Sequence, residues 1–350
     1  MTTGGILKII ASSSDDERFQ IQFGSAVTSS VMRRRHQQLP SPSKTLRYMN
    51  INSTTRSFNS NTTHFITLLY QGRLGNRMFQ YAALSGLARR TRRRPIVDCD
   101  GLFSSMYPRI AAECITGAAQ RFAKMATSKN NLKLKEKRPV TSHIAQVVNS
   151  THKYITLQGF FGSWRYFQNV SHTLRQRFQF DAKVTRLAKE FMTSIITRYK
   201  HTANATGKVT PIALHVRRGD FLHNGSVATG RQVATADYFY AAMNYFRSQY
   251  ANCLFLVVSD DVEWCREHLL LLAQDVILVA DHKFASRSKF RDSVERDVSV
   301  LRLVEHSILS TGTFSWWIGW FTPGQVVYYS KPRANRAVEE HYLPHWKRMM

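Results

Sequence analysis

Apolar residues follow no regular period over the first 63 positions of the chain, and a regular pattern begins only after them. Residues 1–63 are rich in Ser, Thr, Asn, Gln and Arg and include Pro40 and Pro42. A segment of this kind buries too little apolar surface to offset the entropy lost on ordering. We therefore expect residues 1–63 to form a flexible tail or stem.

From residue 64 onward, short apolar runs alternate with helical spacing. Residues 65–70 are apolar and β-rich, which predicts a buried strand, and residues 78–90 place apolar side chains at helical intervals, which predicts a helix. The same reasoning predicts strands at 95–97 and 154–157 and helices near 111–126 and 171–200. Together these elements predict a first α/β domain over residues 64–205, with the order of its strands left open.

The polar stretch 201–211, which contains Gly207 and Pro211, separates this region from a second one with a cleaner pattern. Five apolar runs predict strands, at 212–216, 254–258, 276–279, 307–310 and 326–329, and four stretches between them predict helices, at 237–246, 262–271, 294–306 and 314–321. This alternation predicts a parallel, doubly wound sheet over residues 206–350. In such sheets the ligand crevice lies beyond the carboxyl ends of the strands.

The charge of the chain narrows the range of partners without choosing among them. The 350 residues carry 49 Lys and Arg against 23 Asp and Glu, a net charge of +26 at pH 7. This excess favours a polyanion, an acidic membrane surface or a phosphate-bearing small molecule as partner. The aromatic residues lie mainly in apolar runs and are not interleaved with exposed basic residues, so nucleic-acid binding is the weaker interpretation.

Six Asn-x-Ser/Thr sequons, more than chance would give, indicate a lumenal or extracellular compartment. They lie at Asn52, Asn61, Asn149, Asn169, Asn204 and Asn224. No window approaches the roughly 18–20 apolar residues of a membrane helix, and the start of the chain has no signal-peptide pattern. We therefore expect a soluble chain as written, with the hypothesis that a membrane anchor precedes Met1.

The four cysteines, Cys99, Cys114, Cys253 and Cys265, form no CxxC pair. They are too few for a disulfide scaffold and lack the spacing of a structural zinc site, so no metal is indicated. Cys253 and Cys265 flank the predicted strand 254–258 and are interpreted as buried thiols. A disulfide between them in an oxidising compartment is the alternative.

Three clusters near the predicted strands carry the candidate chemistry. The first, Gly72-Arg73-Leu74-Gly75-Asn76-Arg77, joins a strand to a helix. Its glycines let the backbone turn tightly and approach a ligand, and free amides at a helix start can bind an anion. A plain glycine turn between strand and helix explains this pattern equally well.

The second cluster, His215-Val216-Arg217-Arg218-Gly219-Asp220, ends the strand 212–216. Because side chains alternate along a strand, His215 and Arg217 leave on one side, and Arg218 and Asp220 are expected to pair on the other. An arginine at this position can hold phosphate oxygens bidentately and stabilise a departing diphosphate without a metal. Two surface arginines with an Asp closing a salt-bridged turn are the structural alternative.

The third cluster, Thr311-Gly312-Thr313-Phe314-Ser315-Trp316-Trp317, follows the strand 307–310 and opens a helix. Small hydroxyl residues at a helix start cap the helix and can bond a phosphate. Two adjacent tryptophans cannot both face one core unless one of them reaches a neighbouring layer or pocket. On pattern alone, a capped helix with aromatic core residues is the simpler interpretation.

Taken together, the clusters resemble the galactoside alpha-1,2-fucosyltransferase family. The family's G-R-L-G-N-Q-M-F-Q-Y-A motif is matched at 72–82 with Arg77 in place of Gln, its H-V-R-R-G-D at 215–220, and its S-T-F-S-W-W at 312–317 with Gly312 in place of the first Ser. Segments 157–167 and 258–265 are similar to two further family segments, with Gly162 in place of a glutamine. The resemblance runs in order over residues 65–321.

The resemblance implies an α/β fold of the GT-B type, with two Rossmann-like domains and a ligand crevice between them. Residues 64–205 would form the acceptor-side domain, and residues 206–350 would bind GDP-fucose. The implied reaction moves L-fucose to the 2-hydroxyl of a terminal beta-galactoside, with inversion and without a metal or cofactor. The implied partners are GDP-fucose and a galactose-terminated glycan on a glycoprotein or glycolipid, with no nucleic acid. The implied location is the Golgi lumen, or the Golgi membrane if the protein is a type II membrane protein.

Roles carry over from the family motifs by position. The catalytic residues would be Arg217, Asn76 and Asp220, and the donor-binding residues would be Arg73, Gly75, His215, Arg218, Asp297, Thr313 and Ser315. Arg217 would hold the β-phosphate, and His215 and Asp297 would contact guanine and its ribose. Thr313 and Ser315 would close on the diphosphate, which Arg73, Gly75 and Asn76 would reach from the first domain. Asp220 is also a candidate general base, although pairing with Arg218 is its preferred interpretation.

Two acidic groups are interpreted as structural. Asp98-Cys99-Asp100 matches the D-x-D of metal-dependent sugar transferases but lies far in sequence from the arginine cluster. Asp260 or Asp261, near Glu263, is expected to cap the helix that begins near residue 262. The competing functions are a protein O-fucosyltransferase or alpha-1,6-fucosyltransferase, a basic nucleic-acid-binding protein, and a catalytically silent lectin or chaperone of the same fold.

Overall fold

The computed structural model describes residues 64–99, 106–125, 129–222, 233–270, 273–282, 290–330 and 341–350. All of these residues belong to one compact unit that spans residues 51–350. The tail predicted over residues 1–63 lies outside the described residues, as do the sequons at Asn52, Asn61 and Asn224.

Four parallel strands form the first sheet, in the order β2-β1-β4-β3. They are β1 (Phe65–Leu68), β2 (Arg94–Ile96), β3 (Asn131–Lys135) and β4 (Tyr154–Gln158). Strands β1, β2 and β4 match predicted strands, whereas β3 was missed. Its leucines alternate with lysines, so that Leu134 is buried while Lys133 and Lys135 are exposed. The strand was missed because its exposed lysines, which are common on edge strands, are also typical of a charged surface loop.

The helices of the first region differ from their predicted bounds. They are α1 (Leu74–Thr91), α2 (Pro108–Ala111), α3 (Ala118–Met125), α4 (Val140–Val148), α5 (Ser171–Arg177) and α6 (Ala182–Thr202). The single helix predicted at 171–200 is wrong, because Asp181 caps a new helix by accepting a bond from the Val184 amide at 2.8 Å. Of the helix predicted at 111–126, residues 112–117 are not helical, because Ile115 forms a bridge with Asp98 and Gly117 has a φ of +69°, outside helical geometry.

Six parallel strands form the second sheet, in the order β10-β9-β8-β5-β6-β7. They are β5 (Thr210–Val216), β6 (Cys253–Ser259), β7 (Val276–Leu278), β8 (His306–Leu309), β9 (Val326–Tyr329) and β10 (Lys347–Met349). Numbered within this sheet, the order is that of the doubly wound dinucleotide-binding fold. All five predicted strands are present, and only the short, basic β10 was missed. The α/β class with two parallel sheets, predicted as the GT-B type, is confirmed.

The helices of the second region cover both faces of this sheet. They are α7 (Ala236–Arg247), α8 (Val262–Cys265), α9 (Ser293–Leu301) and α10 (Thr313–Phe321). On β6, Leu254 and Leu256 join a core cluster that also contains α1 and α10, whereas Phe255 and Val257 join a second cluster with α7. This alternation explains why the strands read as continuous apolar runs, since both faces are buried.

A disulfide joins Cys99 to Cys114 and closes the segment between β2 and α3. The sequence did not predict this pairing. Cys253 and Cys265 are free and buried, so the alternative of a disulfide between them is wrong. Helix α6 ends at Thr202 and β5 begins at Thr210, on either side of the boundary placed between residues 205 and 206, which stays a prediction.

Candidate active site

The carboxyl ends of β1 and β5 meet through an ion pair. Nη1 of Arg73, in the turn after β1, lies 3.7 Å from Oδ2 of Asp220, in the turn after β5. Because all strands in each sheet are parallel, this contact joins the two edges at which α/β sheets bind ligands. The first and second sequence clusters are therefore brought together at this edge.

Arg217 lies at the centre of this edge. Its Nη2 donates to Oδ1 of Asp220 at 2.6 Å, and its Nη1 lies 2.8 Å from Oδ2 of Asp260. Its backbone amide donates to Oγ of Ser310 at 2.9 Å, which fixes the end of β5 against the end of β8. The side chain is 21% exposed, so the guanidinium is held in place while part of it still faces solvent. A guanidinium fixed in this way is pre-organised to bind an oxyanion.

Arg218 points to the other side of the turn, and its partner differs from the one predicted. Its Nε donates to Oδ2 of Asp261 at 3.1 Å, and its guanidinium lies 4.0 Å from the ring centroid of Trp264. The expected pairing of Arg218 with Asp220 is therefore wrong, because Asp220 is engaged with Arg217 and Arg73. The backbone turn after β5 sends the two arginines to separate carboxylates.

The acidic pair Asp260-Asp261 has a second role that sequence reasoning missed. Asp261 caps α8 as predicted, since its Oδ1 accepts a bond from the Trp264 amide at 3.3 Å. Asp260 accepts from the Arg218 amide at 2.9 Å and pairs with Arg217. The signal lay in the position of the pair directly after β6, because β6 lies beside β5 in the sheet.

His215 is buried and hydrogen-bonded within the protein. Its Nδ1 lies 2.5 Å from Oγ of Ser315 and 3.5 Å from Oγ of Ser310. Burial disfavours the imidazolium and lowers the pKa of His215 to about 3, and the positive charge of Arg217 acts in the same direction. The side chain is therefore neutral at physiological pH. The predicted contacts of His215 with guanine and of Ser315 with the diphosphate stay predictions.

The first cluster shows tight packing around its glycines. A Cβ on Gly75 would lie 2.7 Å from both the Phe314 amide nitrogen and Oγ1 of Thr313. Gly72 has a φ of +80°, and a Cβ there would lie 2.4 Å from Nδ2 of Asn76. Both glycines are thus required by the close approach of α1 to α10 and by the turn itself. The predicted donor contacts of Gly75, Asn76 and Thr313 stay predictions.

Asp297 lies on α9 and is nearly buried. Nη2 and Nε of Arg296 approach its Oδ1 at 2.7 and 2.8 Å. Burial raises the pKa of Asp297 to about 6, against the opposing effect of the Arg296 charge. Its predicted contact with the guanosine moiety stays a prediction.

The D-x-D segment has a structural explanation where it is described. Oδ1 of Asp98 accepts a bond from the Ala118 amide at 3.2 Å, and Cys99 is in the disulfide, whereas Asp100 lies outside the described residues. Within the described ranges, no three His, Cys, Asp or Glu side chains are grouped as metal ligands. In those same ranges, no helix is both long and apolar enough to cross a membrane.

Comparison with known protein families identifies the chain as a glycosyltransferase. The chain belongs to glycosyl transferase family 11, whose family model matches residues 30–349. It is 27% identical to galactoside alpha-(1,2)-fucosyltransferase 2 of Hylobates lar, over 79% of this chain and 76% of that protein. It is 26% identical to galactoside 2-alpha-L-fucosyltransferase Sec1 of Mus musculus, over 80% of this chain and 72% of that protein. The resemblance predicted from the motifs is thus confirmed.

Among solved structures, similarity extends to NodZ alpha-1,6-fucosyltransferase soaked with GDP-fucose. The identity is 12%, the match covers 76% of this chain and 94% of that chain, and the TM-score is 0.46.

Proposed function

We propose that this chain transfers L-fucose from GDP-fucose to the 2-hydroxyl of a terminal beta-galactoside, with inversion and without a metal ion. The relatives named as galactoside alpha-(1,2)-fucosyltransferases support both the donor sugar and the linkage. The single observation that carries the proposal is the position of Arg217, held between Asp220 and Asp260 at the carboxyl end of β5. An arginine at this place can do for the diphosphate what a metal ion does in other transferases.

In the proposed reaction, the acceptor 2-hydroxyl attacks the anomeric carbon of fucose as the bond from that carbon to the β-phosphate oxygen breaks. The electron pair of the broken bond goes to GDP, and the acceptor proton goes to a base. Negative charge therefore develops on the phosphate oxygens, where the Arg217 guanidinium stabilises the transition state more than the ground state. Asp220 is the candidate general base that the sequence suggested. Its contacts with Arg217 and Arg73 support a positioning role instead.

Charge at this edge is balanced before the donor binds. Arg73, Arg217 and Arg218 face Asp220, Asp260 and Asp261, so the cluster has no net formal charge. A diphosphate that binds both Nη atoms of Arg217 would compete with the carboxylates of Asp220 and Asp260. The pair between Arg73 and Asp220 is the longest of these contacts, at 3.7 Å, and the Arg73 side chain is 76% exposed. Exposed pairs contribute little stability, so Arg73 is the arginine released at least cost.

We further propose that the acceptor is a galactose-terminated glycan on a glycoprotein or glycolipid, and that the enzyme works in the Golgi lumen. The six sequons support a lumenal location. The disulfide between Cys99 and Cys114 supports the same compartment, because disulfides persist where the environment is oxidising.

Incubation of the full chain with GDP-fucose and a panel of galactosides tests the proposal. Product mass and linkage analysis should show fucose on the galactose 2-hydroxyl, and EDTA should leave the rate unchanged. A product of another linkage would favour the alternative fucosyltransferases, and activity that is lost in EDTA and returns with Mn²⁺ would overturn the metal-free mechanism. GDP binding without transfer to any acceptor would favour a catalytically silent protein of the same fold.

A further inference from the structure

A cleft of about 250 Å³ lies at the carboxyl edge of the first sheet, apart from the arginine cluster. It is lined by Leu69 and Gln71 after β1, Lys135 at the end of β3, and Gln158 and Gly159 at the end of β4. Because these strands are parallel, their carboxyl ends meet at one edge. The cleft is slightly smaller than typical small-molecule sites, which have volumes of roughly 300–1,000 Å³.

The cleft opens beside the proposed donor position. Gln71 is two residues from Arg73, so their Cα atoms are at most about 7 Å apart. Arg73 contacts Asp220, which holds Arg217. A sugar in the cleft would therefore lie on the same side of the molecule as a donor whose phosphates are bound at Arg217.

The walls of the cleft are fixed to each other by a buried glutamine. Oε1 of Gln80 accepts from the Gln71 amide at 3.1 Å, and its Nε2 donates to the Gly159 carbonyl at 2.8 Å. Gln80 lies on α1 and is fully buried. Its two bonds hold the ends of β1 and β4 at a set separation, which lowers the ordering cost of binding a ligand between them.

A carboxylate fixes the third side. Oε2 of Glu136 accepts from the amides of Phe160 and Phe161, at 2.9 and 2.7 Å. These bonds hold a loop in which Gly159 has a φ of +147° and Phe161 a φ of +53°. One carboxylate oxygen of Glu136, the neighbour of Lys135 in sequence, thus accepts from the loop backbone, whereas its Oε1 is buried and has no hydrogen-bond partner within the described residues.

Lys135 gives the cleft its charge. Its side chain is exposed, and within the part of the chain that the structure describes no carboxylate forms an ion pair with it. Lys133, Lys137 and Arg138 are exposed on the same segment and add to the positive potential. An ammonium binds a sulfate or a carboxylate more strongly than it binds the hydroxyl groups of a neutral galactoside, because both partners are then charged.

We propose that this cleft seats the acceptor glycan and that Lys135 selects acceptors with an anionic group, a sulfate or a carboxylate, close to the galactose that is modified. The inference rests on the proposed fucosyl transfer and adds the class of acceptor. The ammonium of Lys135 binds the anionic group, and the walls held by Gln80 and Glu136 place the galactose next to the donor.

Initial rates of fucosyl transfer by the full chain test this inference. The acceptors are a neutral galactosyl disaccharide, the same disaccharide with a sulfate ester, and a galactosyl-uronate, so that the two anionic groups are compared directly. We expect kcat/KM to be about tenfold or more higher for at least one anionic acceptor than for the neutral one, mainly through KM. The Lys135→Gln variant should reduce this preference to within about twofold, and Lys135→Glu should reverse it.

Lys133→Gln is the matched control, because Lys133 points to the same side of β3, is also exposed and does not line the cleft. It should retain the preference of the wild type. Equal kcat/KM for neutral and anionic acceptors in the wild type would overturn the inference, as would an equal loss of preference in Lys133→Gln and Lys135→Gln. In both cases fucosyl transfer itself would remain intact, whereas absence of transfer to every acceptor would reject the proposed function as well.

Discussion

The indole Nε1 of Trp317 donates a 3.0 Å hydrogen bond to the carbonyl oxygen of Gly75, across 242 positions of sequence. Gly75 lies in the first turn of α1, which follows β1, and Trp317 lies on α10, which follows β8, so the bond joins the carboxyl edges of the two sheets. The ring centroid of Phe79 lies 5.0 Å from that of Trp317 and 4.6 Å from that of Trp316. The paired tryptophans therefore hold the junction on which the active-site geometry depends.

Substitution of Gly75 should loosen this junction. A Cβ at Gly75 would meet the backbone of Phe314 at 2.7 Å, so Gly75→Ala forces α1 away from α10. We expect the free energy of unfolding to fall by about 1–3 kcal/mol, as for other overpacked sites. Gly162→Ala is the control, because a Cβ there meets nothing within 4 Å. Denaturant unfolding of both variants measures the difference, and equal stability of the two would contradict the packing role.

His215 should make stability depend on pH in the acid range. Its folded-state pKa is lowered to about 3. Below a pH of about 6.5, the unfolded chain therefore binds a proton at His215 that the folded chain does not bind. The wild type should lose stability relative to His215→Gln as the pH falls from about 6.5 towards 3, at up to about 1.4 kcal/mol per pH unit. Urea titrations of both proteins at several pH values measure the slope. A stability difference that does not change over this range would show that the pKa of His215 is the same in the folded and the unfolded chain.

The disulfide between Cys99 and Cys114 should stabilise the first region. It closes a loop with a sequence separation of 15 residues. A loop of that size contributes roughly 3 kcal/mol in the chain-entropy model, so Cys99→Ser with Cys114→Ser should lower Tm by several degrees. Cys253→Ser serves as the comparison for a free thiol, and because it keeps the bond between Cys99 and Cys114, its Tm should fall on reduction as that of the wild type does. A wild-type Tm that is unchanged by reduction would contradict a structural role for the bond.

Arg73 should affect donor binding more than stability. Its ion pair with Asp220 is long and exposed, so Arg73→Ala should change the free energy of unfolding by less than about 1 kcal/mol. If Arg73 moves to the diphosphate, the KM for GDP-fucose should rise about tenfold. Arg186→Ala is a close control, because Arg186 is 71% exposed and pairs with Glu190 at the same 3.7 Å distance. An equal KM for GDP-fucose in the two variants would show that Arg73 does not take part in donor binding.

The sequence predicted the second sheet better than the first. Strands β5, β6 and β8 are buried on both faces, so they appear as apolar runs between short links. Strand β3 lies at the edge of the first sheet and carries exposed lysines, which concealed its two leucines. The break between α5 and α6 was missed because Phe178 is apolar and continues the helical spacing although it lies in the break.

The candidate site was predicted as three clusters but not as a set of pairings. Alternation along β5 correctly sent Arg217 and Arg218 to different sides, yet it assigned Asp220 to the wrong arginine. The backbone leaves strand geometry after Val216, so the alternation of side chains along the strand does not predict the direction of Asp220. The partners Asp260 and Asp261 come from the neighbouring strand, and only the sheet order brings them to the arginines.

The central claim is that Arg217 stabilises the departing GDP, and the turnover of Arg217→Ala with GDP-fucose and a galactoside tests it most directly. We expect a folded enzyme whose kcat falls by a factor of about 100 or more, the scale measured for lost oxyanion donors, with Arg217→Lys retaining part of the rate. Arg247→Ala, which removes an arginine paired with Asp275 at 2.8 Å on α7, should keep wild-type turnover. Wild-type kcat in the folded Arg217→Ala enzyme would contradict the account.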